Sequence, residues 1–351
     1  MSNINIAYFS QPAVAPHQNM MLAYLKENHS HEYTIREVKI PRGKGVFDQA
    51  WTVMKVMHFC LFHREDVLYF SGFVSARYAY LAYALGHRRW VYHSQDWIFD
   101  RKDFRAQLER VVVRNAPAVI WNEHIRARAA RKVSGRRSAI HVVPTYLPIA
   151  YTLPDPCPNL REKIKNNGIQ CSDQTAIVFA GGYSEARMSK YLVAAFEKVD
   201  ENCVLVFTGS ERVPRPWPRN VMDLGELSYK EMLSVVSASD IGILLYDYKK
   251  SFGNRIQQPG RLTEYLRAGL SVISTPFPVA KRIERELDSY ICVNGYDVEE
   301  LRVALKSLCS TVCVRRNNRS RIITYAVDNL GYERAAKKVI SEIIENHLND
   351  N

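Results

Sequence analysis

The sequence predicts an α/β protein made of two doubly wound halves, each built on a parallel sheet. Three observations carry that expectation. Short apolar strand-like runs alternate with helix-like runs through residues 4–143, and again through residues 175–293. Pro144, Pro148, Pro154, Pro156 and Pro158, five of the 15 prolines, fall between the two series, as in a semi-rigid linker. The 351-residue length also favours two cores over one.

In the first series, residues 4–9 read as a strand, 10–16 as a loop and 17–26 as an amphipathic helix. Residues 33–40 are a second strand and 41–45 a basic loop containing Arg42, Gly43 and Lys44. A helix over 47–63 is apolar on most faces. Strands over 66–70, 89–93, 118–121 and 140–143 are separated by helices over 75–85, 104–113 and 123–133, the last strongly basic. Strand, helix and strand in this rhythm close by right-handed crossovers into a parallel sheet. The second series repeats it. Strands are expected over 175–180, 203–208, 221–224, 241–246, 270–273 and 290–293. Helices are expected over 190–199, 229–237, 279–287, 298–309, 317–327 and 331–348. A short helix is set by Leu262, Tyr265 and Leu266 at spacings of three and four, with Gly269 placed as its C-terminal cap. The expected domains are 1–150, 151–327 and a terminal helix over 328–351 that crosses back to the first.

Composition is that of a globular chain, 47% hydrophobic and 24% charged. The formal net charge of +12 points to an anionic partner: a nucleotide, an anionic glycan, a phospholipid surface or a nucleic acid. Nucleic acid fits least, because no recognised module is present. Seven scattered cysteines, odd in number and without a CxxC pair, read as reduced thiols of a cytosolic chain. Met1-Ser2-Asn3 runs straight into the first strand, so no leader peptide is expected, and no apolar run reaches spanning length.

Ligands of open parallel sheets bind beyond the carboxyl ends of the strands. After the first strand of the second half come Gly181 and Gly182, then Arg187 and Lys190. Small residues let the backbone approach a phosphate, and the cations supply potential. Gly209 and Ser210 follow the next strand. A polar loop with Lys249, Lys250 and Arg255 follows residues 241–246. Then come Arg261 and Glu264, one helical turn apart. A carboxylate there can accept both hydroxyls of a ribose, and a cation there can meet a phosphate. An ordinary surface ion pair is the simpler reading of Arg261 and Glu264 in isolation.

Residues 175–275 resemble the nucleotide-binding domain of GT-B glycosyltransferases of the family-4-like type, found in bacterial polysaccharide and lipopolysaccharide assembly. The resemblance rests on five stretches, one of them Val204-Leu205-Val206-Phe207-Thr208-Gly209, similar to the family's second strand and its Gly; the other four follow. They are Phe179-Ala180-Gly181-Gly182-Tyr183-Ser184-Glu185-Ala186-Arg187; Leu224-Gly225-Glu226-Leu227-Ser228; Ala238-Ser239-Asp240-Ile241-Gly242; and Pro259-Gly260-Arg261-Leu262-Thr263-Glu264-Tyr265-Leu266-Arg267-Ala268-Gly269. It implies a GT-B fold, two Rossmann-like domains facing across a cleft. It also implies a nucleotide-sugar donor, UDP- or GDP-linked, and a glycan or lipid-linked acceptor. Cofactor and metal are not expected, and no DxD triplet is present. On this reading Gly181, Gly182, Arg187, Gly209, Ser210, Leu227, Arg261, Glu264 and Tyr265 bind the donor nucleotide, Leu227 through its backbone to the base. Two departures stand out. Gly182 occupies the place of a family Arg, and Ile256 the place of the first family Glu, so Asn254 and Gln257 are the candidates for the sugar.

The catalytic group should sit at a strand end of the first half. His17 and the pair His93 and Asp96 are the candidates there. Residues 101–137 carry eleven Lys or Arg against Asp103, Glu109 and Glu123, a local net of +8. With the apolar run 51–62 this suggests docking on an anionic membrane, hence a cytoplasmic protein peripheral on the inner face of the plasma membrane. Solvated and core helices are the plainer account of the same residues. A sugar-nucleotide epimerase of the same fold, and a non-catalytic membrane- or glycan-binding protein on that scaffold, are the competing functions.

Overall fold

The computed structural model describes residues 4–10, 20–28, 33–40, 45–64, 66–149, 151–157, 160, 162, 175–199, 203–209, 216–250, 252–256, 259–310 and 318–348. The chain divides into two compact units, Met1–Pro148 with Tyr332–Asn351, and Ile149–Gly331.

The first unit runs β1 (Ile4–Ser10), α1 (Met20–Asn28), β2 (Tyr33–Lys39), α2 (Val46–Phe62), β3 (Val67–Ser71), α3 (Ala76–Ala84), β4 (Trp90–Ser94), α4 (Phe104–Asn115), β5 (Ala118–Trp121), α5 (His124–Ser134) and β6 (His141–Val142). Its six strands are all parallel, in the order β2-β1-β3-β4-β5-β6. Side chains alternate across such a sheet. Phe9, Phe70, Tyr92 and Trp121 join Phe59 of α2, Tyr78 of α3 and Val112 of α4 in one core. Tyr8, Tyr69 and His93 belong to the opposite alternation. Helix ends are chemically marked. Asp103 caps α4 by accepting from Ala106 N (3.0 Å), and Glu123 caps α5 by accepting from Arg126 N (2.7 Å).

The second unit repeats the plan with β7 (Thr175–Phe179), α6 (Ser189–Phe196), β8 (Cys203–Phe207), β9 (Val221–Asp223), α7 (Tyr229–Ala238), β10 (Ile241–Leu244), α8 (Phe252–Arg255), α9 (Gly260–Arg267), β11 (Ser271–Ser274), α10 (Pro278–Glu286), β12 (Tyr290–Cys292), α11 (Val298–Ser310) and α12 (Arg319–Asn329). The order β12-β11-β10-β7-β8-β9 is again wholly parallel. It reverses direction between β7 and β10, the crevice at which such sheets take ligands. The last helix, α13 (Tyr332–Leu348), belongs to the first unit and packs on α1 and β6.

Strands over the expected runs form because β-branched and aromatic residues dominate them; β7, β8 and β10 are buried along their whole length. Two local expectations are corrected. The lid-like stretch after β10 contains the one-turn helix α8. Cys203 of β8 and Cys309 of α11 are joined as a disulfide, Cα atoms 6.8 Å apart, so not all seven cysteines are free thiols. The partners lie 106 residues apart and meet only because α11 packs on the sheet. Cys60, Cys157 and Cys292 are free.

Gly269 adopts φ +72° directly after α9, the left-handed value that ends a helix. Gly242 in β10 is required for a different reason: a Cβ there would run into the Tyr265 ring. Gly242→Ala is therefore expected to destabilise the chain by about 1–3 kcal/mol, as overpacking does. Urea unfolding checks it, and a loss below about 0.5 kcal/mol would contradict the packing.

Candidate functional site

The candidate site is assembled at the switch point of the second unit, by α9 and the loops after β7, β8 and β10. α9 has one apolar side, Leu262 and Leu266, which buries it. Its other functional side chains turn toward the end of β7. The Tyr265 hydroxyl accepts from Ala180 N (2.9 Å) and donates to Ile243 O (3.3 Å), so it ties the end of β7 to β10. Tyr265 is 1% exposed. It holds the backbone that leads into Gly181.

Glu264 is also 1% exposed, and both its oxygens are engaged. Arg261 Nη1 donates to Oε2 (2.5 Å), and the Tyr229 hydroxyl donates to Oε1 (2.7 Å). Arg261 Nε reaches Ala180 O (3.3 Å), and its guanidinium lies 5.7 Å from the Tyr229 ring centroid. Of the ion pair expected at the surface, the carboxylate is thus buried, while the Arg261 side chain remains 27% exposed. Burial alone lowers the pKa of the Arg261 guanidinium, but the charge and hydrogen bond of Glu264, with Tyr265 and Tyr229, together more than offset this, and the net shift is upward. Burial and then the Glu264 charge push the Tyr229 phenol far above its ordinary value, so it remains a donor. Tyr229 opens α7, whose start is fixed by a capping box between Ser228 and Glu231. Nothing in its residue type or spacing singled it out in the sequence.

The glycine loops meet each other. A Cβ on Gly209 would collide with the backbone of Gly181 and Gly182, so the loops after β7 and β8 touch main chain to main chain. Leu227 is half-buried just before α7. Arg187 lies in a short 3₁₀ turn with its guanidinium 4.3 Å from the Tyr246 ring centroid, a cation–π placement at the end of β10. Asp247 N donates to Ala186 O (3.0 Å), joining these two loops. Asn254 of α8 donates to Asp247 O (2.8 Å), which places it on the same loop. Ile256, in the position of the family's first Glu, is 5% exposed and apolar. Ser210, Gln257, His17 and the basic loop 41–44 lie outside the described residues.

In the first unit His93 is buried on β4, with Nδ1 2.8 Å from the Tyr69 hydroxyl. Tyr69 stacks on Tyr8 at 4.6 Å. A small cavity beside His93 is lined by Met20 and Met21 of α1, Gln95, Pro144 and Tyr332. Burial lowers the His93 pKa to about 4, so the ring is neutral at pH 7. Asp96 is exposed beyond the strand, so the expected pair is split between interior and surface. The carboxyl that the same strand buries is Glu109 of α4, which the sequence reading treated as one more charge. It accepts from Ser94 Oγ (2.6 Å) and the Tyr92 hydroxyl (2.8 Å). Burial raises its pKa to about 7, against the lowering effect of those two bonds.

No protein-family model matches the chain, and no curated protein matches it. Solved structures do. Anabaena HepE in complex with UDP and glucose superposes with TM-score 0.73 at 14% identity, over 98% of this chain and 100% of that one. Sucrose-phosphate synthase from Thermosynechococcus elongatus gives 0.72 at 12% identity, over 99% and 100%. A putative UDP-N-acetylglucosamine 2-epimerase from Listeria monocytogenes gives 0.60 at 11% identity, over 100% and 98%. The fold is GT-B. Within it each Rossmann-like unit presents its own strand ends.

Two outcomes follow. Arg261→Ala strands a buried carboxylate and should cost about 3–5 kcal/mol, whereas adding Glu264→Leu should recover much of it; urea unfolding of the single and double variants tests the pair. His93 and Glu109 should give opposite pH dependences. The folded ring stays neutral down to about pH 4, so acid below the unfolded pKa of 6.5 favours unfolding. Folded Glu109 keeps its proton up to about pH 7, so rising pH above the unfolded value of 4.5 favours unfolding. Between these limits the two slopes, each about 1.4 kcal/mol per pH unit, nearly cancel. Relative to the parent, Glu109→Gln should lose stability on acidification from 6.5, and His93→Gln should gain it; parallel curves would exclude both.

Proposed function

We propose that the protein is a glycosyltransferase that moves a sugar from a nucleotide donor, UDP- or GDP-linked, to a glycan or lipid-linked acceptor in bacterial surface polysaccharide assembly. The observation that carries this reading is the buried Glu264, held between Arg261 and Tyr229 at the switch point of the second sheet. The Tyr229 hydroxyl donates to Glu264 Oε1 as a ribose hydroxyl would, so donor binding exchanges one donor for another. Arg261 stays on the other oxygen. Gly181, Gly182 and Gly209 let main chain meet the diphosphate, and Arg187 and Lys190 supply positive potential for it as it departs. Leu227 meets the base, and Asn254 and Gln257 the sugar. In the first unit His93, neutral and hydrogen-bonded to Tyr69, and the exposed Asp96 are the groups at the strand ends beside which an acceptor hydroxyl is placed; His17, outside the described residues, is the remaining candidate. No metal or cofactor has a part in this scheme.

Relatives of the fold support a nucleotide-sugar donor, since HepE has been solved with UDP-glucose and E. coli trehalose-6-phosphate synthase with UDP-2-fluoro-glucose. The epimerase neighbour supports a second reading, conversion of the donor without any acceptor. The apolar Ile256, which brings no carboxylate toward the sugar, supports a third, a non-catalytic binding protein. A lipid-linked acceptor places the protein on the cytoplasmic face of the membrane, where the net charge of +12 suits an anionic surface.

The donor site is tested by calorimetry with UDP and GDP, followed by hydrolysis assays with the matching sugars. Glu264→Gln keeps the shape and removes the charge, and should weaken nucleotide binding roughly tenfold to a hundredfold. A parent chain that binds neither nucleotide, or a Glu264→Gln variant that binds as well as the parent, sinks the reading. Donor conversion without acceptor selects the epimerase.

A further inference from the structure

One face of the first unit serves neither its core nor the candidate site. α2 buries Thr52, Val56, Phe59 and Cys60 against the sheet and its neighbours. The opposite side of the same helix is also apolar. Phe47, Trp51, Met54, Met57, Leu61 and Phe62 lie there, and Phe47 is 90%, Phe62 73% and Trp51 57% exposed. Their spacing of three and four residues makes one stripe along the whole helix. α3 packs beside α2, joined by Arg77 Nη1 donating to Gln49 Oε1 (3.2 Å), and widens the stripe with exposed Tyr80, Tyr83 and Leu85. α4 follows on α3 and presents Phe104, 74% exposed. A patch of this extent on a water-soluble fold marks an interaction surface.

The charges around it identify the occupant. On these helices and the turns between them, Arg64, Arg88, Arg101, Lys102, Arg105 and Arg114 are exposed. Asp48, Asp96, Asp100 and Asp103 are the exposed acids among the described residues of the same stretch, so the cations outnumber them. Lys55 lies on α2 itself, its Nζ 5.4 Å from the Trp51 ring centroid. A second copy of the chain would bring two cationic rims together, which Coulomb repulsion opposes. An anionic bilayer offers the complement of both components. Trp, Tyr and Phe settle at the boundary between headgroups and acyl chains, and Arg and Lys reach the phosphates. Among the described residues no helix is long and apolar enough to cross a membrane. α2 has 17 residues and lies along the protein surface, the disposition of a helix that rests in the interface plane.

We propose that the exposed face of α2, with α3 and the start of α4, docks the protein on an anionic phospholipid bilayer. This names the surface behind the lipid-linked acceptor of the proposed function and rests on that reading only for its purpose. The physical claim stands on the stripe and its cationic rim. Attachment by this face is reversible, because it combines a shallow apolar insertion with screened electrostatics.

The test is flotation of the full chain with phosphatidylglycerol-rich vesicles and with phosphatidylcholine vesicles, at low and high salt. Binding to the first and not the second, with release by salt, is expected. Trp51→Asp and Met54→Asp should each cut binding about tenfold or more. Arg88→Gln should cut it about fivefold. Unfolding midpoint and UDP affinity should stay at the parent's values, because none of these side chains reaches the core or the nucleotide site. The proposal is overturned if the parent chain fails to bind phosphatidylglycerol vesicles, or if Trp51→Asp binds them as well as the parent. A dimer on sizing that Trp51→Asp splits would assign the face to a second copy and equally overturn it. Loss of UDP binding with vesicle binding intact would strike only the donor reading.

Discussion

A carboxylate removed from water must be paired, and Glu264 is such a carboxylate. Its partners dictate the surrounding architecture. Arg261 comes from the preceding turn of the same helix, and Tyr229 from the first turn of α7. Arg261 and Tyr265 together take both the carbonyl and the N–H of Ala180, the residue just after β7. Tyr265 then reaches across to Ile243. One eight-residue helix therefore sets the spacing of β7 and β10 where the sheet reverses direction. Gly242 and Gly209 are consequences of that closeness, since neither position has room for a Cβ. The constraint that builds the candidate site is the same one that holds the sheet together there.

The first unit uses burial differently. Its strands carry tyrosines and a histidine, and α4 a buried glutamate, in place of a paired charge. Desolvation keeps His93 and Glu109 toward their neutral forms near pH 7, and the two shifts oppose each other in their effect on stability. Local hydrogen bonds to Tyr69, Tyr92 and Ser94 leave these groups oriented. The charge of this unit is carried instead by its helices, beside an apolar stripe that its own core does not consume.

The fold was legible in the sequence because parallel strands buried on both faces must be apolar runs, and their connecting helices must repeat with matching period. Strand starts at Ala118, Thr175, Cys203, Val221, Ile241 and Tyr290 fall at the residues expected. The stop at Gly269 was legible because only glycine takes that left-handed turn without strain. The grouping of Arg261 and Glu264 with the glycine loops near the end of β7 was legible, because those loops follow strands and the pair sits one helical turn apart. Tyr229, Tyr69 and Glu109 were not legible. A tyrosine or glutamate on a helix looks the same whether it faces water or a buried partner 35 or 15 residues away.

The amino-acid sequence by itself determined the two parallel sheets, the order of their elements and the helix that carries Arg261 and Glu264, because these follow from local periodicity and turn chemistry. Only the tertiary structure decided which side of α2 faces water, that Cys203 meets Cys309, and that Tyr265 braces the strands. Those outcomes depend on which surfaces the folded chain brings together. The Arg261–Glu264 pair shows both levels at once. Its spacing of one helical turn is written in the chain, and its burial beneath Tyr229 is conferred by the packing of α7 against α9.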